Sequence, residues 1–200
     1  MATKGEETRQ RIIEKAAPLF NQRGYEGCSM QDIMHATGLE KGGIYRHFQS
    51  KEELAAEAFD FAWETTRSKR RTSLSSIANP LDRLKQNIAN FVLHSGFPGG
   101  CPLLNTAVDS DNGNPILRRK VRKALAAWKE SLQALIEEGI AAGAIRKEVD
   151  PRQVVNVVIA TLEGGMLISR IEQTDKGLRG ALAHLNWYVE TALRRREIVQ

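Results

Sequence analysis

Two cysteines are all that the 200-residue chain contains. Cys28 and Cys101 lie far apart and lack the paired spacing of a zinc site, which argues against a disulfide framework and a structural metal; no cofactor is expected either. Long hydrophobic runs are also scarce. No stretch approaches the ~20 apolar residues that cross a bilayer, and the opening segment from Met1 to Glu7 lacks the apolar core of a secretion signal. A cytoplasmic protein with no membrane partner is therefore expected. Alternation of apolar and polar residues, the mark of a half-buried strand, is missing too, so the expected fold class is all-α.

What is present suits a packed helical protein. A hydrophobic content of 42% suffices for one sizeable core or a small domain on a larger one, and 26% charged residues argue against general disorder. The formal charge of +5 permits a polyanionic partner without requiring one.

About nine helices can be read along the chain. From Thr8 to Gln22, Ile12, Ile13, Ala16, Ala17, Leu19 and Phe20 recur at spacings of three and four, and Gly24 closes the pattern. Pro18 inside it removes a bond to the Glu14 carbonyl, so a kink is expected there. Ser29 and Asp32 cap a short second helix with Ile33 and Met34 turned inward, and Gly38 ends it. A third helix over Lys41 to Phe48 puts Ile44 and Phe48 on its buried side. Ser50 and Glu53 then open a fourth, which carries Leu54, Ala58, Phe61 and Trp63 and ends in the basic cluster Arg67 to Arg71, read as a solvated helix end. Asn79-Pro80, Asn114-Pro115 and Asp150-Pro151 each set a capping side chain before a proline suited to a first helical turn. They mark helices over about 80–95, 115–141 and 151–173; a short helix after Cys101 and a last one over about 176–195 complete the set.

On the third helix, Gly42, Tyr45 and Arg46 face outward, flanked by Lys41 and His47. Gly42 and Gly43 each cost roughly 1 kcal/mol relative to alanine in a helix. Either they merely shape the turn or they admit a close approach of DNA. A capped second helix, a glycine turn, a small third helix with a polar outer face and a lysine at the next helix start together favour a helix-turn-helix.

The stretch Thr37-Gly-Leu-Glu-Lys-Gly-Gly-Ile-Tyr-Arg-His-Phe-Gln-Ser-Lys-Glu-Glu-Leu54, with Ile12, Ala16, Ala17, Leu19, Phe20, Gly24 and Ile33 before it, resembles the signature of the TetR family of bacterial transcriptional regulators. The likeness covers the first quarter of the chain; the rest agrees in length and helical layout. It implies that Lys41, Gly42, Gly43, Tyr45 and Arg46 approach bases or phosphates and that Met30, His47 and Lys51 lie along the DNA backbone. Arg46 suits bidentate reading of guanine, whereas Lys51 and the amides opening the second helix suit phosphate. Two residues depart from the family pattern: Glu40, where a small hydroxyl residue is common, and Pro18. Division into a DNA-binding domain over 1–52 and a ligand-binding and dimerisation domain over 53–200 follows.

In the second part the last two helices each carry an apolar face. One bears Val154, Val155, Val158, Leu162, Gly165 and Ile168, the other Leu178, Ala181 or Leu182, Leu185, Val189 and Ala192. They read as a homodimer interface, with Gly164 and Gly165 permitting close approach, or as packing within one chain. A dimer sets two recognition helices one DNA turn, ~34 Å, apart and so reads a palindromic operator in double-stranded DNA. Phe59, Trp63, Phe91, Trp128 and Met166 line a candidate pocket for a small-molecule effector, or are core. By resemblance, a ligand there moves the fourth helix and releases DNA, which makes the expected function that of a ligand-responsive repressor. Cys101, in a glycine loop before a short helix, is either a sensor of oxidants and electrophiles or an inert thiol. Two other classes stay open: a thiol-dependent enzyme using His94, Cys101, Asn105 and Asp109, and an architectural DNA-binding protein without a ligand.

Overall fold

The computed structural model describes residues 3–93, 97–111 and 113–195. Nine α-helices occupy them: α1 (Lys4–Gly27), α2 (Met30–Thr37), α3 (Lys41–Tyr45), α4 (Lys51–Arg70), α5 (Pro80–Leu93), α6 (Pro102–Ser110), α7 (Pro115–Ala141), α8 (Pro151–Ile171) and α9 (Lys176–Tyr188). A 3-10 turn at Leu74–Ser76 and a π turn at Val189–Leu193 complete the set, and one isolated bridge between Ile145 and Arg194 is the sole extended pairing among the described residues. The described residues fall into two compact units, those within 1–67 and 96–124 and those within 68–95 and 125–200; α4 and α7 contribute to both.

In the first unit, Ile12, Ile13 and Ala16 of α1, Cys28, Ile33 of α2, Ile44 of α3, Phe48 and Leu54 of α4 form one buried cluster. The proline kink expected in α1 is displaced. Helical dihedrals pass through Pro18 unbroken, and the break falls at Gly24, with φ 76° and ψ 171°. Exposed Glu14 leaves the orphaned carbonyl near solvent, while Ile13, Ala16, Ala17 and Asn21 pin the helix on both sides of the proline. Gly24 is left-handed for a specific reason: a Cβ there would lie 2.6 Å from Asp109 Oδ1, while the Tyr25 amide next to it donates to Asp109 Oδ2 at 2.7 Å. Asn105 of α6 donates to the Asn21 carbonyl at 2.9 Å and to the Gly99 carbonyl at 2.7 Å. Two side chains of α6 thus grip the end of α1.

In the second unit α8 and α9 form a helical hairpin on α5. Val155, Val158, Leu162 and Met166 of α8, Leu178, Ala181 and Leu185 of α9, and Leu84, Ile88 and Phe91 of α5 are buried. The three Asx-Pro caps form as their sequence predicts. Asn79 Oδ1 accepts from the Leu81 amide, Asn114 Oδ1 from the Ile116 amide and Asp150 Oδ1 from the Arg152 amide, each at 2.9 Å. Two expectations give way. The last helix loses α geometry after Tyr188 and runs on as the π turn, where the Leu193 carbonyl accepts from the Arg146 amide at 2.9 Å. And α8, at 21 residues, is long and apolar enough by length and composition to cross a membrane, contrary to the reading that no run nears that length; 44% of its most apolar window is buried.

Candidate nucleic-acid interface

Each part of the helix-turn-helix is fixed by local chemistry. Ser29 caps α2 by accepting from the Asp32 amide at 3.1 Å, and Asp32 returns the contact by accepting from the Ser29 amide at 2.8 Å and its hydroxyl at 2.6 Å. Those two donations from Ser29, then the Arg23 guanidinium, hold the Asp32 carboxyl down to about 2. The box consumes the Ser29 and Asp32 amides. Gly38, at φ 70°, turns the chain out of α2 and donates to the Met34 carbonyl at 2.9 Å.

Glu40 then starts α3 with its backbone alone. Its carbonyl accepts from the Gly43 amide at 2.9 Å and the Ile44 amide at 3.2 Å, and its side chain makes no cap bond. Helix α3 stops at Tyr45, three residues short of the expected end, because the chain tightens: the His47 amide donates to the Ile44 carbonyl at 3.0 Å, three residues back instead of four. The Phe48 amide still reaches Ile44, at 3.2 Å, so the segment to Phe48 remains hydrogen-bonded. Ile44 and Phe48 are 1% and 2% exposed. Lys41, Gly42, Tyr45 and Arg46 are exposed, and Gly43 and His47 half-buried.

The cations around this face are positioned by rings and carboxylates. Lys41 Nζ lies 5.9 Å from the Tyr45 ring centroid and Lys51 Nζ 4.3 Å from that of Tyr25. Arg9 of α1 covers the Phe48 ring and pairs with Glu57, tying α1 to α4. Arg46 makes no ion pair among the described residues, which leaves its guanidinium available to an outside acceptor. Met30 is half-buried and packs against the core cluster.

Gly42 is informative by what surrounds it. A Cβ there would meet none of the described residues within 4 Å, and its backbone is not left-handed, so none of them requires glycine. Gly42→Ala is expected to raise stability by up to ~1 kcal/mol and, where DNA takes that space, to weaken operator binding by about tenfold or more. Denaturant melts and a DNA titration of the same preparation check both halves; unchanged DNA affinity would return the glycine to a turn-shaping role.

Phe59 and Trp63 are buried in the first unit; Phe91, Trp128 and Met166 belong to the second. Phe91 and Trp128 stack with centroids 5.8 Å apart and planes 6° from parallel. Arg70, within the cluster read as a solvated helix end, is instead buried at 6% exposure, its guanidinium 3.9 Å from the Phe91 centroid. The signal was available: Arg70 lies four residues after Thr66 and seven after Trp63, on the buried stripe of α4. Cys101 sits at the head of α6, 1% exposed, and Cys28 is fully buried; neither forms a disulfide. Burial pushes the Cys28 thiol up, and nearby Asp32 adds to it. Asn105 and Asp109, which the enzyme reading needed, are engaged in holding α1, and His94 lies outside the described residues. Among the described residues no group of His, Cys, Asp and Glu is placed to hold a metal ion.

A short capped helix, a left-handed turn and a second helix with an exposed cationic face define a helix-turn-helix DNA-binding protein. Residues 12–58 match the family of bacterial regulatory proteins called tetR, and residues 80–185 match the tetracyclin repressor-like C-terminal domain. The chain belongs to the TetR family of transcriptional regulators, which are not enzymes.

Its relatives agree. A TetR transcriptional regulator from Chloroflexus aurantiacus J-10-FL is 44% identical, with 96% of this chain and 99% of that one aligned at a TM-score of 0.92. The HTH-type transcriptional repressor DhaR of Mycobacterium sp. (strain GP1) is 28% identical over 85% of this chain and 86% of its own. A transcriptional regulator from Saccharomonospora viridis, solved in complex with choline, shares the fold at 23% identity and a TM-score of 0.82, covering 95% of this chain and 99% of that one.

Proposed function

We infer that this protein is a cytoplasmic repressor that binds a palindromic operator as a homodimer and lets go when a small molecule occupies its C-terminal helices. The observation that carries the DNA half is the face of α3: Lys41, Tyr45 and Arg46 exposed around an unfilled Gly42, with Ile44 and Phe48 buried behind them. Residues 1–52 act as the DNA-binding domain and 53–200 as the ligand-binding and dimerisation domain. Arg46, Lys41, Gly42, Gly43 and Tyr45 meet bases or nearby phosphates; Lys51, His47 and Met30 follow the backbone.

Support for the dimer comes from two matched stripes. On α8, Gly164, Leu167, Ile168 and Ile171, and on α9, Gly180, Ala183, His184 and Trp187, share the same three-four-seven spacing. Leu167, Ile168, Ile171 and Trp187 are 50%, 49%, 74% and 60% exposed, an apolar face that a second copy would cover. The repressor DhaR supports the sign of regulation, and the choline complex supports small-molecule binding by this fold. Modification of Cys101 is a second trigger, favoured by its place at the head of the helix whose Asn105 and Asp109 grip α1. Its burial means that a reagent must first open that cap.

In vitro selection of DNA sites with the purified protein tests the reading. An enriched palindrome with half-sites about one helical turn apart is expected; enrichment of an unpaired half-site, or none, contradicts it. Effector trials, with and without Cys101→Ser, then use that operator.

A further inference from the structure

Arg70 is the one ionic residue buried as a whole among the described residues, and one carboxylate oxygen of Glu163 on α8 is buried as well. Arg70 closes α4, and its backbone is firmly held: buried Asn90 donates to the carbonyls of Arg70 and Thr72, at 2.9 Å each, while Gln86 orients Asn90 by donating to its Oδ1 at 2.8 Å. The guanidinium lies 3.9 Å from the Phe91 centroid and 5.7 Å from that of Trp128, with those two rings stacked on each other. All of these residues lie in the second unit.

Ring contact satisfies the face of a guanidinium but not its N–H donors, which point outward in its plane. Here Nε, Nη1 and Nη2 are all buried, and none has an acceptor among the described residues. A desolvated cation with its donors unmet is unfavourable in the chain alone, and such groups are rare enough in folded proteins to require a reason. An anion supplies one. Two coplanar oxygens match the donor fork of arginine, and a single buried positive charge is balanced by one negative charge, which favours a carboxylate over a doubly charged phosphate. The adjoining Phe91 and Trp128 rings offer an apolar surface to the rest of such a molecule.

We propose that the effector is an organic carboxylate and that Arg70 binds its carboxyl group, with Phe91 and Trp128 beside the apolar body. The proposal rests on the reading of the C-terminal helices as the effector domain and adds the ligand's charge and anchor. A cation such as choline is opposed by the same guanidinium.

Isothermal titration of the full-length protein with benzoate and octanoate, against benzamide, octanamide and choline, tests it. At least one carboxylate is expected to bind, at least about tenfold more tightly than its amide, and Arg70→Met is expected to abolish that preference while Arg70→Lys keeps part of it. Equal binding of acid and amide, no carboxylate binding at millimolar concentration, or an unchanged preference in a folded Arg70→Met variant overturns the assignment. Should that variant fail to fold, the acid-to-amide ratio in the wild type decides alone. Operator release separates the two ideas. A carboxylate that binds through Arg70 without freeing DNA keeps the site and removes the effector reading; release by acid and amide alike keeps the effector reading and removes Arg70.

Discussion

Gly165→Leu is expected to destabilise the C-terminal helices by about 3 kcal/mol, whereas Gly164→Leu, one residue earlier, leaves the chain folded and turns a dimer into a monomer. The contrast follows from where a side chain would point. A Cβ on Gly165 would stand 2.7 Å from Ala181 Cβ and 2.9 Å from the Gly177 carbonyl oxygen of α9. The second of these is backbone, so relief requires the whole α8 and α9 hairpin to part, and the helix-propensity gain of ~1 kcal/mol on replacing glycine does not offset it. Against a total stability of ~5–15 kcal/mol the loss is large. A Cβ on Gly164 meets none of the described residues within 4 Å, and Gly164 lies on the exposed stripe with Leu167, Ile168 and Ile171. Bulk there touches only what another chain brings. Urea melts at matched protein concentration separate the folding effects, and sedimentation reads the assembly. A Gly164→Leu protein that stays dimeric with wild-type affinity would move the interface off this stripe.

The same pair of glycines shows what the sequence could and could not convey. By spacing alone both permit close approach in a dimer, yet Gly165 serves the contact of α8 with α9 inside one chain, and of the two Gly164 faces outward. Periodicity identifies an apolar face but not which copy covers it. Signals confined to a few residues were legible: the Ser29 and Asp32 box, the three Asx-Pro caps, the Gly38 turn, and Ile44 with Phe48 as anchors all depend on chemistry within one helical turn. Contacts across long sequence separations were not. Local sequence asks for a kink at Pro18 because the packing of Ile13, Ala16 and Asn21 around it is tertiary, and Gly24 breaks the helix because Asp109, far along the chain, comes against it. Arg70 was hidden by composition, since its neighbours Lys69 and Arg71 made a solvated cluster the simpler reading although its position on the wheel faces inward. Asn105 and Asp109 drew attention as polar groups near a cysteine; the structure uses them to hold α1.

Replacing Arg46 with alanine is expected to lower specific operator binding by ~1–3 kcal/mol for each half-site and to relax preference at one base pair in each. Because a dimer places two copies on one operator, the losses compound to roughly two to six kcal/mol when both contacts are made. Arg46 is exposed, pairs with no carboxylate among the described residues and follows the rigid Ile44 anchor by two positions, so it loses little by turning toward a guanine. Lys51 gives the opposing case. Held over the Tyr25 ring at the start of α4, it suits a phosphate, so Lys51→Ala should weaken all DNA sequences about equally and reduce the slope of log affinity against log salt by ~1 per contact. Glu40 sharpens the comparison: a carboxylate one residue before α3, with no capping bond, repels phosphate unless it accepts from a cytosine amine. Titrations of single-base operator variants at two salt concentrations distinguish these roles. If Arg46→Ala weakens every variant by the same factor and flattens the salt slope, Arg46 contacts phosphate and sequence is read elsewhere on α3, with Tyr45 and Lys41 the next residues to replace.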